Sequence, residues 1–312
     1  MRIKLIKYVC FLIASIVIFG CANNQKKADT ANSGEIFIAC DENIKPIVEA
    51  QIDVFTSIYS KSDFKLKSSS EQDVYNSFMN DSTRLIIGLR ELNKKETEFF
   101  IQSKLTIKTN VVATDAIAFV MNKNRTDSNI TYQNLEKILN GTILNWSDLG
   151  SKEGTISVVL DNPASGNARY LREKLGENSL NGKNIFAVNS GAEVISFIQK
   201  NENAIGIIGA NWLSDTGDSI SDDYLSRIKV LAISPSKTEK NINLPYYKPL
   251  QGDLREGYYP FIRSMFVISK ESRTGLGTGF ASFMKSERGQ RIFLKGGLMP
   301  IMMPSREIQF NN

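Results

Sequence analysis

The chain contains no histidine. Ser–His–Asp and Cys–His nucleophile systems are therefore excluded, along with imidazole acid–base chemistry and most zinc sites. Two Ser-x-x-Lys tetrapeptides, Ser234–Lys237 and Ser282–Lys285, pair a nucleophile with a lysine base on paper, but no Lys-Thr-Gly or Ser-Asp-Asn partner motif accompanies them. The Gly176–Lys183 segment lacks the spacing and the following hydroxyl residue of a phosphate-cradling loop. Gly275–Gly279 lacks the strand that precedes a dinucleotide fingerprint and reads as a turn and helix start. Asp41-Glu42 reads either as a carboxylate pair suited to a cation or as the cap of the next helix. The more useful feature is a repeated junction. Short polar residues end three β-like runs, at Asp41–Asn43, Ser68–Ser70 and Ser165–Asn167, and a helical pattern follows each. Such a junction exposes free backbone N–H groups and a positive dipole end. Several converging on a cleft would hold an anion without any charged side chain; three ordinary helix caps are the alternative.

The elements around these junctions follow from periodicity. A strand at 35–40 leads to a helix from Pro46, with Val48, Ile52, Phe55 and Tyr59 as its apolar stripe. A strand at 64–67 precedes a helix at 71–79. A strand at 85–89, a charged helix at 91–102 and a longer strand at 111–121 come next. Thr131 caps a helix over 132–140 that Gly141 stops. A strand at 156–160 feeds the helix that opens at Ser165-Gly166-Asn167 and ends at Gly176. Ser190 and Glu193 form a capping box before another helix, followed by a buried strand at 204–209. Strands at 228–233 and 262–268 and a last helix over 279–294 complete the pattern, with long loops expected over much of 214–260. Strands alternating with helices predict an α/β fold with largely parallel sheets.

The length of 312 residues suggests about two domains. The formal net charge of +5 includes Arg2, Lys4 and Lys7, which precede an apolar stretch at 9–20. That stretch is short for a bilayer span and fits a signal peptide over 1–20. Without it, 35 basic residues face 33 acidic ones, which leaves no electrostatic footprint for nucleic acid. Ile18-Phe19-Gly20-Cys21 resembles the bacterial lipoprotein processing box. By that resemblance Cys21 is the lipidated mature N-terminus, and polar residues 21–33 form a flexible tether. Cys40 alone remains in the folded part and reads as a small buried apolar residue.

Several segments together resemble PstS-type phosphate-binding proteins, the substrate-binding components of phosphate ABC importers. Leu135–Gly150 (LEKILNGTILNWSDLG) looks like the family's Ile-(x)-x-Gly-x-Ile-x-x-Trp-x-x-Leu signature. Asp115–Asn122 is similar to the strand before it, Ala204–Gly209 to Ala-Ile-Gly-Tyr-x-Gly, and Tyr259–Ile268 to a Tyr-Pro-x-x-Arg strand. The resemblance covers roughly residues 35–300. It implies a two-lobed type II periplasmic-binding-protein fold, each lobe a mostly parallel sheet flanked by helices, with crossover strands near 113–120 and 261–268. Lobe 1 would hold 34–116 plus 265–312, and lobe 2 would hold 117–264. It further implies a lipid-anchored, monomeric receptor outside the cytoplasm of a bacterium, not an enzyme. That receptor needs no cofactor or metal and delivers phosphate or a similar small anion to a permease. A binder of sulfate, molybdate or an organic phosphate, or a sensory lipoprotein, stays open. The implied ligand residues are Asp41, Ser69, Ser70, Arg90, Ser165, Gly166, Asn167 and Arg169. The anion would sit on the Ser165–Asn167 helix start, clamped by the Ser68–Ser70 turn. The family pattern has an arginine where this chain has Asp161, and an aspartate replaced here around Gly88–Arg90. Arg90 and Arg169 are the expected substitutes for the missing guanidinium.

Overall fold

The computed structural model describes residues 29–213, 219–235 and 245–305. The expected signal segment and Cys21 lie outside them. Strand β1 (Gly34–Asp41) is the centre of the first lobe: it pairs in parallel with β2 (Ser62–Ser69) and with β3 (Leu85–Gly88). Between them run α1 (Lys45–Ile58), entered through a proline in its first turn, and α2 (Glu71–Met79). Helix α3 (Lys94–Gln102) follows β3. It starts three residues later than periodicity predicts because Asn93 and Glu96 close a reciprocal capping box there.

Strand β4 (Lys108–Asn122) is fifteen residues long and belongs to both lobes. Residues 108–116 pair antiparallel with β11 (Ile262–Ser269), which also lies against β3. Residues 117–121 pair antiparallel with β8 (Ala204–Gly209) of the second lobe. There β8 and β7 (Ile185–Ala187) flank β6 (Ser157–Leu160) in parallel. The chain crosses back at Tyr259–Ile262, where the Ile117 N–H donates to the Phe261 carbonyl. The sheet order is β2-β1-β3-β11-β4-β8-β6-β7. The expected parallel lobes and both crossover strands are thus present, and the antiparallel ladders of the main sheet all involve β4 or β11.

The second lobe also contains α4 (Tyr132–Leu139), α5 (Gly166–Leu175) and α6 (Gly191–Lys200). Each lobe has its own core. Phe55 meets Phe64, Phe280 and Phe283 edge-on in the first, whereas Tyr132 stacks on Phe261 and Phe261 meets Phe119 in the second. Trp146 is buried, donates to the Asn203 carbonyl and carries the Arg125 guanidinium over its ring. Cys40 is fully buried.

Four further local expectations are corrected. The 228–233 strand is two short ones, β9 (Ile228–Val230) on β4 and β10 (Ala232–Ile233) on β5 (Asn129–Ile130), because the chain changes partner at Leu231. The region expected as loops also holds helices α7 (Ser219–Arg227) and α8 (Gln251–Arg255). The last helix is two, α9 (Leu276–Lys285) and α10 (Glu287–Lys295), because Ser286 turns extended and caps the second through the Gly289 N–H. After α10, β12 (Met299–Pro300) returns to β4. At Ser190 the capping box is incomplete: the Glu193 carboxylate accepts from Asn189 rather than from the cap residue.

Candidate functional site between the lobes

Helix α5 points its first turn at lobe 1. Ser165 caps it by accepting from the Ala168 N–H at 3.2 Å, and no acid stands in the first turn. Gly166 leaves the backbone bare. An ideal Cβ built on Gly166 would lie 2.7 Å from Asp41 Oδ2 and 2.8 Å from Glu71 Oε2. Two carboxylate oxygens of lobe 1 therefore occupy the positive end of a lobe 2 helix, the position where an anion is favoured.

Both acids come from strand-to-helix junctions. Asp41 ends β1 and caps the 3-10 turn Glu42–Ile44; its Oδ1 accepts from the Asn43 N–H and Nδ2, whereas Oδ2 has no hydrogen-bond partner. Burial, then the neighbouring Glu71 charge, push the Asp41 carboxyl up to about 7. Glu71 opens α2. It accepts from Arg169 Nε at 2.5 Å and Nη2 at 3.2 Å, and from Arg90 Nε at 3.3 Å. Arg169 also donates to the Leu89 carbonyl and to Glu173. This pair, with Glu71 buried and Arg169 half-buried, ties the lobes together, as does Asn167 Nδ2 donating to Asn43 Oδ1 at 2.6 Å. The Asn43 carbonyl accepts from Asn211 Nδ2 and Trp212 Nε1 of lobe 2.

The floor is set by strand register. Arg263 of β11 stands opposite Asp115 of β4 and donates Nε and Nη2 to its Oδ2 at 2.9 and 2.8 Å; Arg263 Nη1 reaches Asn167 Oδ1 at 2.7 Å. Both side chains are buried, so the pair holds only because its geometry and hydrogen bonds offset desolvation. Asp161 is buried too, accepts from the Ser165 hydroxyl at 2.8 Å, and is pushed up mainly by burial.

Beside these acids lies a cavity of about 580 Å³ between α2 and α3 of lobe 1 and α5 of lobe 2, with Arg90, Arg169 and Arg172 in its wall. Arg90 stacks on Tyr75, 3.5 Å from the ring centroid, and forks onto Glu96 at 2.7 and 2.8 Å.

Of the expected residues, Asp41, Gly166, Asn167 and Arg169 meet at the interface, and Ser165 and Arg90 border the same cavity. Ser69 and Ser70 are not among the residues lining it. Ser69 lies opposite Asp41 in the β1–β2 register, and the Ser70 hydroxyl is engaged with Asp73 on its own helix. Sequence reasoning missed Glu71, Asn43, Asp115, Asn211 and Arg263 as site residues. Arg263 had a signal, the Tyr-Pro-x-x-Arg run; Glu71 had one too, as an acid directly after a capping serine.

The family model described as the PBP superfamily domain matches residues 25–288. The chain is similar to the phosphate-binding protein PstS of Borreliella burgdorferi, 23% identical over 306 residues, which covers 96% of this chain and 99% of that one. PstS of Bacillus subtilis is 23% identical over 280 residues, 89% of this chain and 85% of that one. Among solved structures it is similar to a candidate phosphate ABC transporter substrate-binding protein with bound phosphate from Clostridium perfringens. The TM-score is 0.72 at 22% identity over 86% of this chain and 100% of that one. An ABC-type phosphate transport receptor from Vibrio cholerae gives a TM-score of 0.63 at 18% identity, over 86% of this chain and 100% of that one.

Proposed function

The chain belongs to the PBP superfamily, and from that premise we propose that it is a lipid-anchored extracytoplasmic solute-binding protein that takes a phosphate-type ligand between its lobes for an ABC importer. The observation that carries this reading is the start of α5, a helix N-terminus with no acid of its own, facing the other lobe beside a cavity whose wall includes Arg90, Arg169 and Arg172. The names of the relatives supply the phosphoryl chemistry. Lobe 1 (34–116 plus 265–312) and lobe 2 (117–264) rotate about the two crossings, and hinge closure commits the ligand to the permease. Cys21 anchors the receptor at the membrane. Capture and release need no covalent step.

The test is a thermal-shift series on the full chain with phosphate, phosphate monoesters and sulfate. A ligand at a hundred times its Kd stabilises by about 2.7 kcal/mol, a clear rise in Tm. If no phosphoryl compound raises Tm at millimolar concentration, the reading is wrong.

A further inference from the structure

The lobes meet through the chain's own groups, in direct bonds from one lobe to the other. Glu71 of lobe 1 accepts from Nε and Nη2 of Arg169 in lobe 2, and Arg169 Nη2 also donates to the Leu89 carbonyl. Asn43 of lobe 1 accepts from Asn167 through its side chain, and from Asn211 and Trp212 through its carbonyl.

Two of the lobe 1 groups stand where an anion would be drawn. Asp41 Oδ2 and Glu71 Oε2 fill the space over Gly166, at the positive end of α5. Asp41 is 1% exposed, and its Oδ2, without a hydrogen-bond partner, is packed against that first turn. Arg169 stands beside the same helix start with its fork already on Glu71. An incoming anion therefore meets like charge and a guanidinium that is taken. Glu71 answers the helix dipole and Arg169 together, and in doing so it draws lobe 1 onto lobe 2.

We infer that Glu71, backed by Asp41, is an internal substitute for the anion: it latches the lobes shut by itself, and a phosphoryl ligand binds by displacing it from Arg169 and the start of α5. The inference deepens the proposed function; the competition rests on its phosphoryl reading, whereas the latch does not. Such a latch weakens apparent affinity in proportion to the fraction of molecules it holds closed, so removing it should tighten binding. Glu71 and Glu173 separate the latch from simple ion pairing. Both pair with Arg169, but Glu173 does so from α5 itself and is exposed, so only Glu71 joins the lobes.

Trp212 is a native reporter of the closed state. Its indole N–H donates to the Asn43 carbonyl across the interface, while the chain's other tryptophan, Trp146, is buried in the lobe 2 core.

The test measures acrylamide quenching of tryptophan fluorescence, and phosphate affinity by calorimetry, both on the full chain. Without phosphate, Glu71→Gln should raise the quenching constant about twofold or more over wild type, as the lobes part. It should also bind phosphate about tenfold tighter or better. Asp41→Asn, which keeps an oxygen to cap the 3-10 turn, should move both readings in the same direction and serves if Glu71→Gln does not fold. Glu173→Gln should change neither by more than about twofold. Quenching in folded Glu71→Gln no greater than in wild type overturns the latch. Greater quenching with phosphate binding equal to or weaker than that of wild type overturns the competition. If quenching rises and neither protein binds phosphate, the latch stands and the phosphoryl reading falls.

Discussion

Helices α2 and α5 begin alike and end up with opposite roles. Both follow a strand, both are capped by a serine, and the first turn of each meets the opposite lobe. Helix α2 carries its own counter-charge, Glu71 and Asp73, in that turn. Helix α5 opens with Gly166, Asn167 and Ala168 and has none, so the carboxylates above it come from the other lobe. A helix start therefore becomes a seat for a foreign group only when its own first turn is small and uncharged. The third junction, Asp41–Asn43, leads into a short 3-10 turn and supplies an acid instead of receiving one.

The largest way to break this contrast is to titrate the acid that α5 borrows. Asp41 is fully enclosed, with Glu71 from α2 and Arg263 from β11 as its charged neighbours. Its folded value is about 7, against about 3.9 for an unfolded aspartate, so the folded state holds the extra proton between those limits. Its stabilising contribution is complete below about pH 4 and is lost as pH rises toward 7, at up to about 1.4 kcal/mol per pH unit. Urea unfolding at pH 5, 6 and 7 should show the wild type losing stability relative to Asp41→Asn across that window. Parallel profiles would mean that the carboxyl is solvated.

A smaller effect is expected from filling the bare position. Gly166→Ala places a methyl 2.7 and 2.8 Å from two carboxylate oxygens and should destabilise by about 1–3 kcal/mol in thermal or urea unfolding. Gly252→Ala in α8 is the matched control. Nothing lies within 4 Å of a Cβ there, so a gain of up to about 1 kcal/mol is expected. A loss no larger at Gly166 than at Gly252 would show that the acids do not press on α5.

The difference between the two helices explains what was legible in the sequence. The two lobes and both crossings were implied by the resemblance to PstS-type proteins, whereas the bounds of α2 and α5 follow from short-range patterns, caps and a stop glycine. The motif residues Ser165, Gly166 and Asn167 were legible for the same reason. The tertiary partners were not. That Asp41 and Glu71 lie over Gly166 depends on how two lobes meet across about a hundred residues of chain. That Arg263 faces Asp115 depends on a strand register fixed by packing. The Ser70 hydroxyl looked like an anion donor because sequence shows its position but not that Asp73, three residues on, engages it.

Ser70 supplies the smallest and sharpest test. Its hydroxyl accepts from the Asp73 N–H and donates to the Asp73 carboxylate, both within the first turn of α2. As a cap on a helix that already has its own acids, it should affect stability and nothing else. Ser70→Ala is expected to destabilise by about 1 kcal/mol in urea unfolding, and Ser70→Asn, which keeps a capping oxygen, by less than about 0.5 kcal/mol. Neither variant should alter the binding of any phosphoryl ligand by more than about twofold, since backbone donors of α2 are not the seat. A ligand clamp behaves differently: losing one neutral hydrogen bond of about 1 kcal/mol would weaken binding roughly fivefold in Ser70→Ala. That result would restore the turn as part of the site and dissolve the distinction between α2 and α5.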